Sequence, residues 1–455
     1  MVGQNAPSVP GRLWDPSSAK PPFRASPRLV AAPTLDPKKI YTLSELVNIG
    51  EQNNPETHVA WENAKVRAAD FGIAQSTLYP TLAAAALADT YRLNIFFGSS
   101  FQLQTVETFS PAFTLDYIIF DFGQRRQEIS VRANDLLAAN FQFNDAHRRV
   151  IFQVVMAYYR LLNSKGQLDA ADANLKNATT VQQAAEDRLR LGLATLPDVL
   201  EARSASAQAE YGLQAAIGAT EIAHGDLATA IGVSPDTQFQ VESIQDLKIP
   251  ENIADTVETS IDKALSLRPD LMQRVAELRA AEATVKAERR TYFPTLSFDG
   301  KAGFSRSYGQ QGQLPGLYSR TRDNWVAELN LTWNIFDMGR EYRLAKAHAG
   351  QEQAAASFDS TRDQVENEVW SAYSATRTAF RQQKAAAALL KAAAESYNAA
   401  LESYNFGLRN QIDVVSAQRT LADARAVDVN ARVQLLTALV ALAYQTGDLL
   451  YGKHP

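Results

Sequence analysis

Two halves of this chain repeat each other at a nearly constant spacing, and that repetition restricts the fold more than any single motif. The run Ile119-Phe120-Asp121 returns as Ile335-Phe336-Asp337, Tyr79-Pro80-Thr81-Leu82 as Phe293-Pro294-Thr295-Leu296, and Asn54-Pro55-Glu56 as Arg268-Pro269-Asp270. Gly192, Asp198 and Gly232 return as Gly407, Asp413 and Gly447, each 215 residues on (407 minus 192, 413 minus 198, 447 minus 232). The chain is a tandem duplication, so whatever one copy builds must be built twice and the two copies must meet.

Each copy changes character at one point, FDFG at residues 120–123 and FDMG at residues 336–339. Before it the residues alternate. In 113–120, Leu115, Tyr117 and Ile119 face away from Thr114 and Asp116. In 297–304, Phe298, Ala302 and Phe304 oppose Ser297, Asp299 and Lys301. In 326–336, Leu329, Leu331, Trp333 and Ile335 oppose Glu328, Asn330, Thr332 and Asn334. A face suited to lipid backed by a face suited to water is the pattern of a membrane β-strand. Residues 81–93 are expected to form a weaker strand, since Ala83 to Ala86 suit a helix equally, and 94–107 read as a loop around Gly98-Ser99-Ser100.

After each FDxG the pattern becomes helical. Val150, Val154, Ala157 and Leu161 lead to Leu168, Ala171, Leu175 and Ala178 in a 4-3 rhythm, and Val365, Val369 and Ala372 echo it 215 residues on. That rhythm marks a coiled-coil seam. A helix of about 65 residues would be roughly 100 Å long, a rod that no globular core needs. The rod turns back at LRLGLATLPDVLEAR, where Gly192 suits a left-handed helix end, Thr195 an N-cap, Pro197 the first turn and Asp198 the N3 position. Near the start of the first copy, Thr42 and Glu45 form a capping box. The expected organisation is an extended arm at 1–39, a first repeat at 40–232, a linker at 233–260, a second repeat at 261–447 and a tail at 448–455.

Composition removes several function classes. There is no cysteine, which excludes disulfides, thiolate metal sites and a cysteine nucleophile, and the 5 histidines are scattered without ligand spacing. No metal or cofactor is expected. Lys and Arg number 45 against 50 Asp and Glu, and no basic block or basic-aromatic stripe suggests nucleic acid. No uninterrupted apolar run of spanning length occurs, so a membrane-spanning helix is not expected, and membrane insertion requires a closed barrel.

Two strands per copy make four per chain, too few to close a barrel, since single barrels begin near eight. An open edge is not tolerated in lipid. Several chains must share one barrel, and a homotrimer supplies twelve strands. The expected fold is mainly α with membrane β: a trimeric twelve-stranded barrel, in contact with lipid outside, continued by a long α-helical barrel. Asp116, Asp299, Lys301, Glu328 and Asn330 then line its lumen.

The duplicated unit, the FDFG and FDMG junctions and the tips RLRLGLATLPDVLEAR and SYNFGLRNQIDVVSAQ resemble the TolC family of outer-membrane efflux proteins, over roughly residues 40–450. The resemblance implies a passive export duct in the outer membrane that crosses the periplasm and docks to a periplasmic adaptor bound to an inner-membrane pump, for efflux or type I secretion. It implies a gate formed by Asp198, Tyr404, Arg409 and Asp413, with Asp413 forming an acidic ring at the pore. Leu189, Gly192, Leu193, Gly407 and Leu408 are expected adaptor-docking positions. Asp198 and Asp413 equally fit the N3 position of a capped helix, where a carboxylate meets the dipole, and Tyr404 continues the seam of Tyr397 and Ala400. The rival reading is a coiled-coil envelope scaffold without a pore. It explains the rods but leaves two duplicated amphipathic strand pairs without a purpose. An enzyme is the most distant reading, for want of any nucleophile-base pair or phosphate loop.

Overall fold

The computed structural model describes residues 35–98, 100–243, 256–311 and 318–451. The N-terminal arm up to residue 34 and residues 244–255 of the linker lie outside them. The element order repeats. The first copy runs α1 (Leu43–Asn53), α2 (Pro55–Ser76), β2 (Thr81–Phe97), β3 (Ser100–Phe120), α3 (Gln124–Arg190) and α4 (Leu196–Ala230). The second runs α5 (Val257–Leu267), α6 (Pro269–Arg290), β5 (Thr295–Gln311), β6 (Tyr318–Thr332), α7 (Gly339–Asn405) and α8 (Gln411–Thr446), closed by the short α9 (Asp448–Tyr451). Two-residue strands β1 (Ile40–Tyr41) and β4 (Gln240–Val241) pair in parallel and tie the start of the chain to the linker.

The rods form as their sequences dictate. Helices α3 and α7 are 67 residues each and free of proline. Asp121 starts α3, its carboxylate accepting from the Gly123 and Arg125 N–H groups at 3.0 and 2.9 Å. Asp337 likewise accepts from Gly339 N–H at 2.9 Å. The capping box at Thr42 and Glu45 is present, and Asn54 and Arg268 break the line just before Pro55 and Pro269. Helix α3 packs chiefly against α4, α6, α2 and α8, and α7 against α8, α6 and α5. Helix α8 is long and apolar enough to cross a membrane by length and composition. Here its apolar positions Val415, Leu421, Leu435 and Leu436 are buried within the helical body, so composition alone misleads.

The main core sits where both copies meet, about midway along α3. Val150, Val154, Tyr158, Leu161 and Leu162 of α3 pack with Leu46 and Val47 of α1, Leu227 and Ala228 of α4, and Val433 and Leu436 of α8. A buried ionic network crosses between the copies at the same level. Arg148, 2% exposed, pairs with Asp145 at 2.7 Å and Asp270 at 3.5 Å, lies 4.4 Å from the Tyr444 ring centre, and donates to the Tyr444 carbonyl. Arg268 holds Asp270 at 2.5 Å and Glu368 at 2.7 Å. Burial acts to raise the Asp270 carboxyl, but hydrogen bonds from Arg268 and the Arg148 charge outweigh it and hold the group below its usual range.

The four long strands make one antiparallel sheet in the order β2-β3-β5-β6, which leaves β2 and β6 as free edges. This corrects the expectation at residues 94–107. They are not a loop, because β2 pairs with β3 without interruption from Thr81↔Asp116 to Phe97↔Ser100, and Gly98, at φ 62°, makes the tight turn. Sequence alternation fails there because each face mixes polar and apolar residues: Leu93 stands opposite Gln104 on one, and Phe96 and Phe101 share the other with Arg92 and Glu107. The Ala83 to Ala86 stretch is strand, its helical propensity overridden by pairing along its whole length. Conversely, 333–336 is not strand, since β6 ends at Thr332.

Gly303 fits where β5 crosses Pro111 of β3. A Cβ there would lie 2.2 Å from the Pro111 carbonyl oxygen and 2.7 Å from Ala112 Cα, both backbone atoms that cannot swing aside. Gly303→Ala is expected to destabilise the sheet by about 1–3 kcal/mol. The check is the fraction of protein reaching a folded, heat-modifiable form in SDS gels. A wild-type fraction would show that the strands absorb the methyl group.

Candidate functional site: the helical tips and the strand face

The two tips are built alike. Gly192 and Gly407 adopt φ 73° and 77°, and a Cβ at either would meet nothing within 4 Å, so the backbone angle alone calls for glycine. Leu193 N–H donates to the Arg188 carbonyl and Leu408 N–H to the Ser403 carbonyl, both at 2.8 Å, the six-to-one bond that ends a helix in this way. The return helices start on Thr195 and Asn410.

The two acids expected at the gate differ. Asp198 accepts from the Thr195 hydroxyl at 2.6 Å and its N–H at 2.8 Å, so its carboxylate is engaged in the cap, and those two hydrogen bonds hold it below the usual range. At the second tip the Asn410 side chain accepts from the Asp413 N–H at 2.9 Å, while the Asp413 carboxylate has no hydrogen-bond or ion-pair partner among the described residues. Its charge is therefore available beyond the chain.

Tyr404 is buried in a cluster with Tyr397, Val414 and Val415. Sequence reasoning passed over the residue that holds it. The Arg188 guanidinium lies 4.3 Å from the Tyr404 ring centre and donates to the Tyr404 carbonyl at 2.6 Å, bracing the first tip against the second. No repeat signal marks it, because its counterpart 215 residues on is Ser403. Arg409 is exposed and unpaired within the chain among the described residues.

The expected docking positions divide. Leu189 is half-buried, packed against Ala185, Val199 and Ala202 at the helix end. Leu193 and Leu408 are exposed, and they are joined by Leu191, Leu196, Phe406 and Ile412, which sequence reading did not single out. The tips thus present an apolar crown.

On the sheet, Asp116, Asp299 and Glu328 stand opposite one another on three neighbouring strands, with Thr81 completing the row. Asn330 and Ser297 donate to Asp299 at 2.7 and 3.0 Å. Lys301 follows on the same face, opposite Thr114 and Val326. The reverse face carries Leu82, Phe113, Phe298, Trp325, Leu329 and Leu331. Polar and apolar faces separate as strands between water and lipid require. Among the described residues no group of three His, Asp or Glu converges as a metal site.

The sequence model of a family described as "Outer membrane efflux protein" matches residues 46–233 and 260–448, one stretch in each copy. CyaE of Bordetella pertussis is 28% identical over 415 residues, covering 90% of this chain and 84% of that protein. Outer membrane protein OprJ of Pseudomonas aeruginosa is 25% identical over 426 residues, covering 90% and 86%. Among solved structures, the CmeC outer membrane channel of Campylobacter jejuni superposes with a TM-score of 0.74 at 21% identity, covering 89% of this chain and 85% of that one.

Proposed function

This chain belongs to the outer membrane efflux protein family, and from that we infer that three copies close one twelve-stranded barrel, four strands from each, continued by a tube of helices. The protein is an efflux channel of the outer membrane that extends into the periplasm, and its role is transport. Family members function with a periplasmic adaptor and an inner-membrane pump. The observation that carries the closed barrel is the pair of free edges. β2 and β6 run antiparallel within the sheet and bound it on opposite sides, so β6 of one copy can continue into β2 of the next. Their unpaired backbone groups would be intolerable in lipid without such a partner. The coiled-coil scaffold reading gives those edges and the apolar sheet face no purpose.

At the far end the exposed crown of Leu193 and Leu408, turned by Gly192 and Gly407, is the docking surface for the adaptor. Tyr404, Arg409, Asp413 and, through its cap, Asp198 form the gate. Asp413 carries the free charge, and Arg409 pairs across to a neighbouring copy. The lumen is lined by Asp116, Asp299, Lys301, Glu328 and Asn330. The wild-type protein reconstituted in planar bilayers is expected to give discrete ion-conducting steps, and its absence from the parent cell to raise sensitivity to exported compounds. Arg409→Ala is expected to raise single-channel conductance severalfold by releasing the tip. Unchanged conductance would remove Arg409 from the gate.

A further inference from the structure

The duplication supplies a template for the contact between copies. Within one chain, the end of the first copy meets the start of the second. Strand β3 pairs with β5, Asp116 opposite Asp299, and its last residues stay in strand to Phe120 because Ser297 and Leu296 of β5 lie beside them. Just beyond, Phe122 stacks on Phe293 with ring centres 5.0 Å apart, and both are partly covered, at 39% and 44% exposure.

The end of the second copy has no such neighbour. Residues 333–338 repeat 117–122, yet β6 stops at Thr332, four residues before the position equivalent to the end of β3. The segment is strongly apolar and bare, with Ile335, Phe336 and Met338 all exposed. Trp333 pins its base by donating from Nε1 to the Tyr292 carbonyl at 3.1 Å. The start of the first copy is bare too. Tyr79, the counterpart of Phe293, is 71% exposed, against 65% for Met338, the counterpart of Phe122. Two halves of one contact stand uncovered at the two ends of the sheet, beside its two free edges.

We propose that the segment 333–338 is an intermolecular clasp, in which Met338 packs on a second copy's Tyr79 as Phe122 packs on Phe293, and residues 333–336 complete β6 once that copy's β2 lies alongside. This rests on the closed-barrel reading and adds its register. Residues of the second copy lie 216 beyond those of the first at the end of the strands (336 minus 120) and 214 at their start (293 minus 79). Carrying over Asp116↔Asp299 therefore sets Thr332 (116 plus 216) opposite the second copy's Ala85 (299 minus 214). The Asn334 carbonyl accepts from Arg340 at 2.7 Å, but the N–H groups of 333–336 have no hydrogen-bond partner among the described residues; lipid cannot supply one, and another copy's strand can.

The chain has no cysteine of its own, so thiols can be placed freely. The experiment places Tyr79→Cys with Met338→Cys, and separately Ala85→Cys with Thr332→Cys, in the full-length protein in native membranes. Each pair is treated with a short bifunctional thiol reagent. The expected result is a shift in reducing gels from the one-chain band to bands of two and three chains, seen with each pair and with neither cysteine alone. A trimer of normal size in detergent that shows no linkage by either pair, with both thiols labelled by a membrane-partitioning maleimide, would overturn the clasp and leave the barrel reading intact. A wild-type chain that is monomeric in mild detergent would remove the barrel reading itself, and the clasp with it.

Discussion

Replacing Arg148 by alanine is expected to destabilise the protein by about 3–5 kcal/mol, the usual consequence of removing one partner from a buried ionic network. Arg148 is 2% exposed and is shared between Asp145 of its own helix and Asp270 of the other copy. The truncation leaves the buried Asp145 with Arg149 alone and the half-buried Asp270 with Arg268 alone. It also removes the cation from the face of Tyr444. The measurement is the temperature at which the detergent-solubilised protein loses helical circular dichroism. A midpoint like wild type would show that the remaining arginines compensate. The same network carries a pH dependence. The Asp270 carboxyl is depressed in the folded protein, so its contribution is full above the ordinary aspartate value near 3.9 and is lost as pH falls through the lower folded value. Acid should therefore narrow the gap between Arg148→Ala and wild type.

Asp413→Asn is expected to relieve block by multivalent cations added on the tip side, by about a hundredfold in the half-blocking concentration. The Asp413 carboxylate has no partner among the described residues, so the proposed trimer brings three free charges together. An exposed charge pair contributes up to about 1 kcal/mol, and three acting on one ion give about two decades. Asp198→Asn is the informative contrast. Its carboxylate is already engaged by Thr195, so it should move the block little and weaken the helix start instead. Equal effects from the two substitutions would refute the division between cap and ring.

Much of this architecture was legible because its signals are local and doubled. The heptad seam, the FDxG junctions and the Gly192 and Gly407 turns fall where periodicity and capping rules put them, and a weak signal in one copy was read through its echo in the other. The misreadings have physical causes. Strands β2 and β3 run on through residues that mix polar and apolar on each face, where backbone pairing and not side-chain alternation maintains the sheet. Residues 333–336 alternate as a strand should, but among the described residues no strand pairs with them. The position of Leu189 near the tip does not show the small cluster of Ala185, Val199 and Ala202 that half covers it. Arg188 was missed because its partner, Tyr404, lies 216 residues away (404 minus 188), in the other copy.

The matched lengths of the rods have a consequence for how such a protein can be resized. Helices α3 and α7 both count 67 residues, and α4 and α8 count 35 and 36, so the two bends sit level. Cutting one heptad from a single helix would tilt its hairpin and throw the bends out of line. Excising seven residues from all four at the same height keeps every knob in its hole and shortens the reach by about 10 Å. The span of the conduit is thus quantised, and a relative serving a narrower envelope should differ by whole multiples of that step.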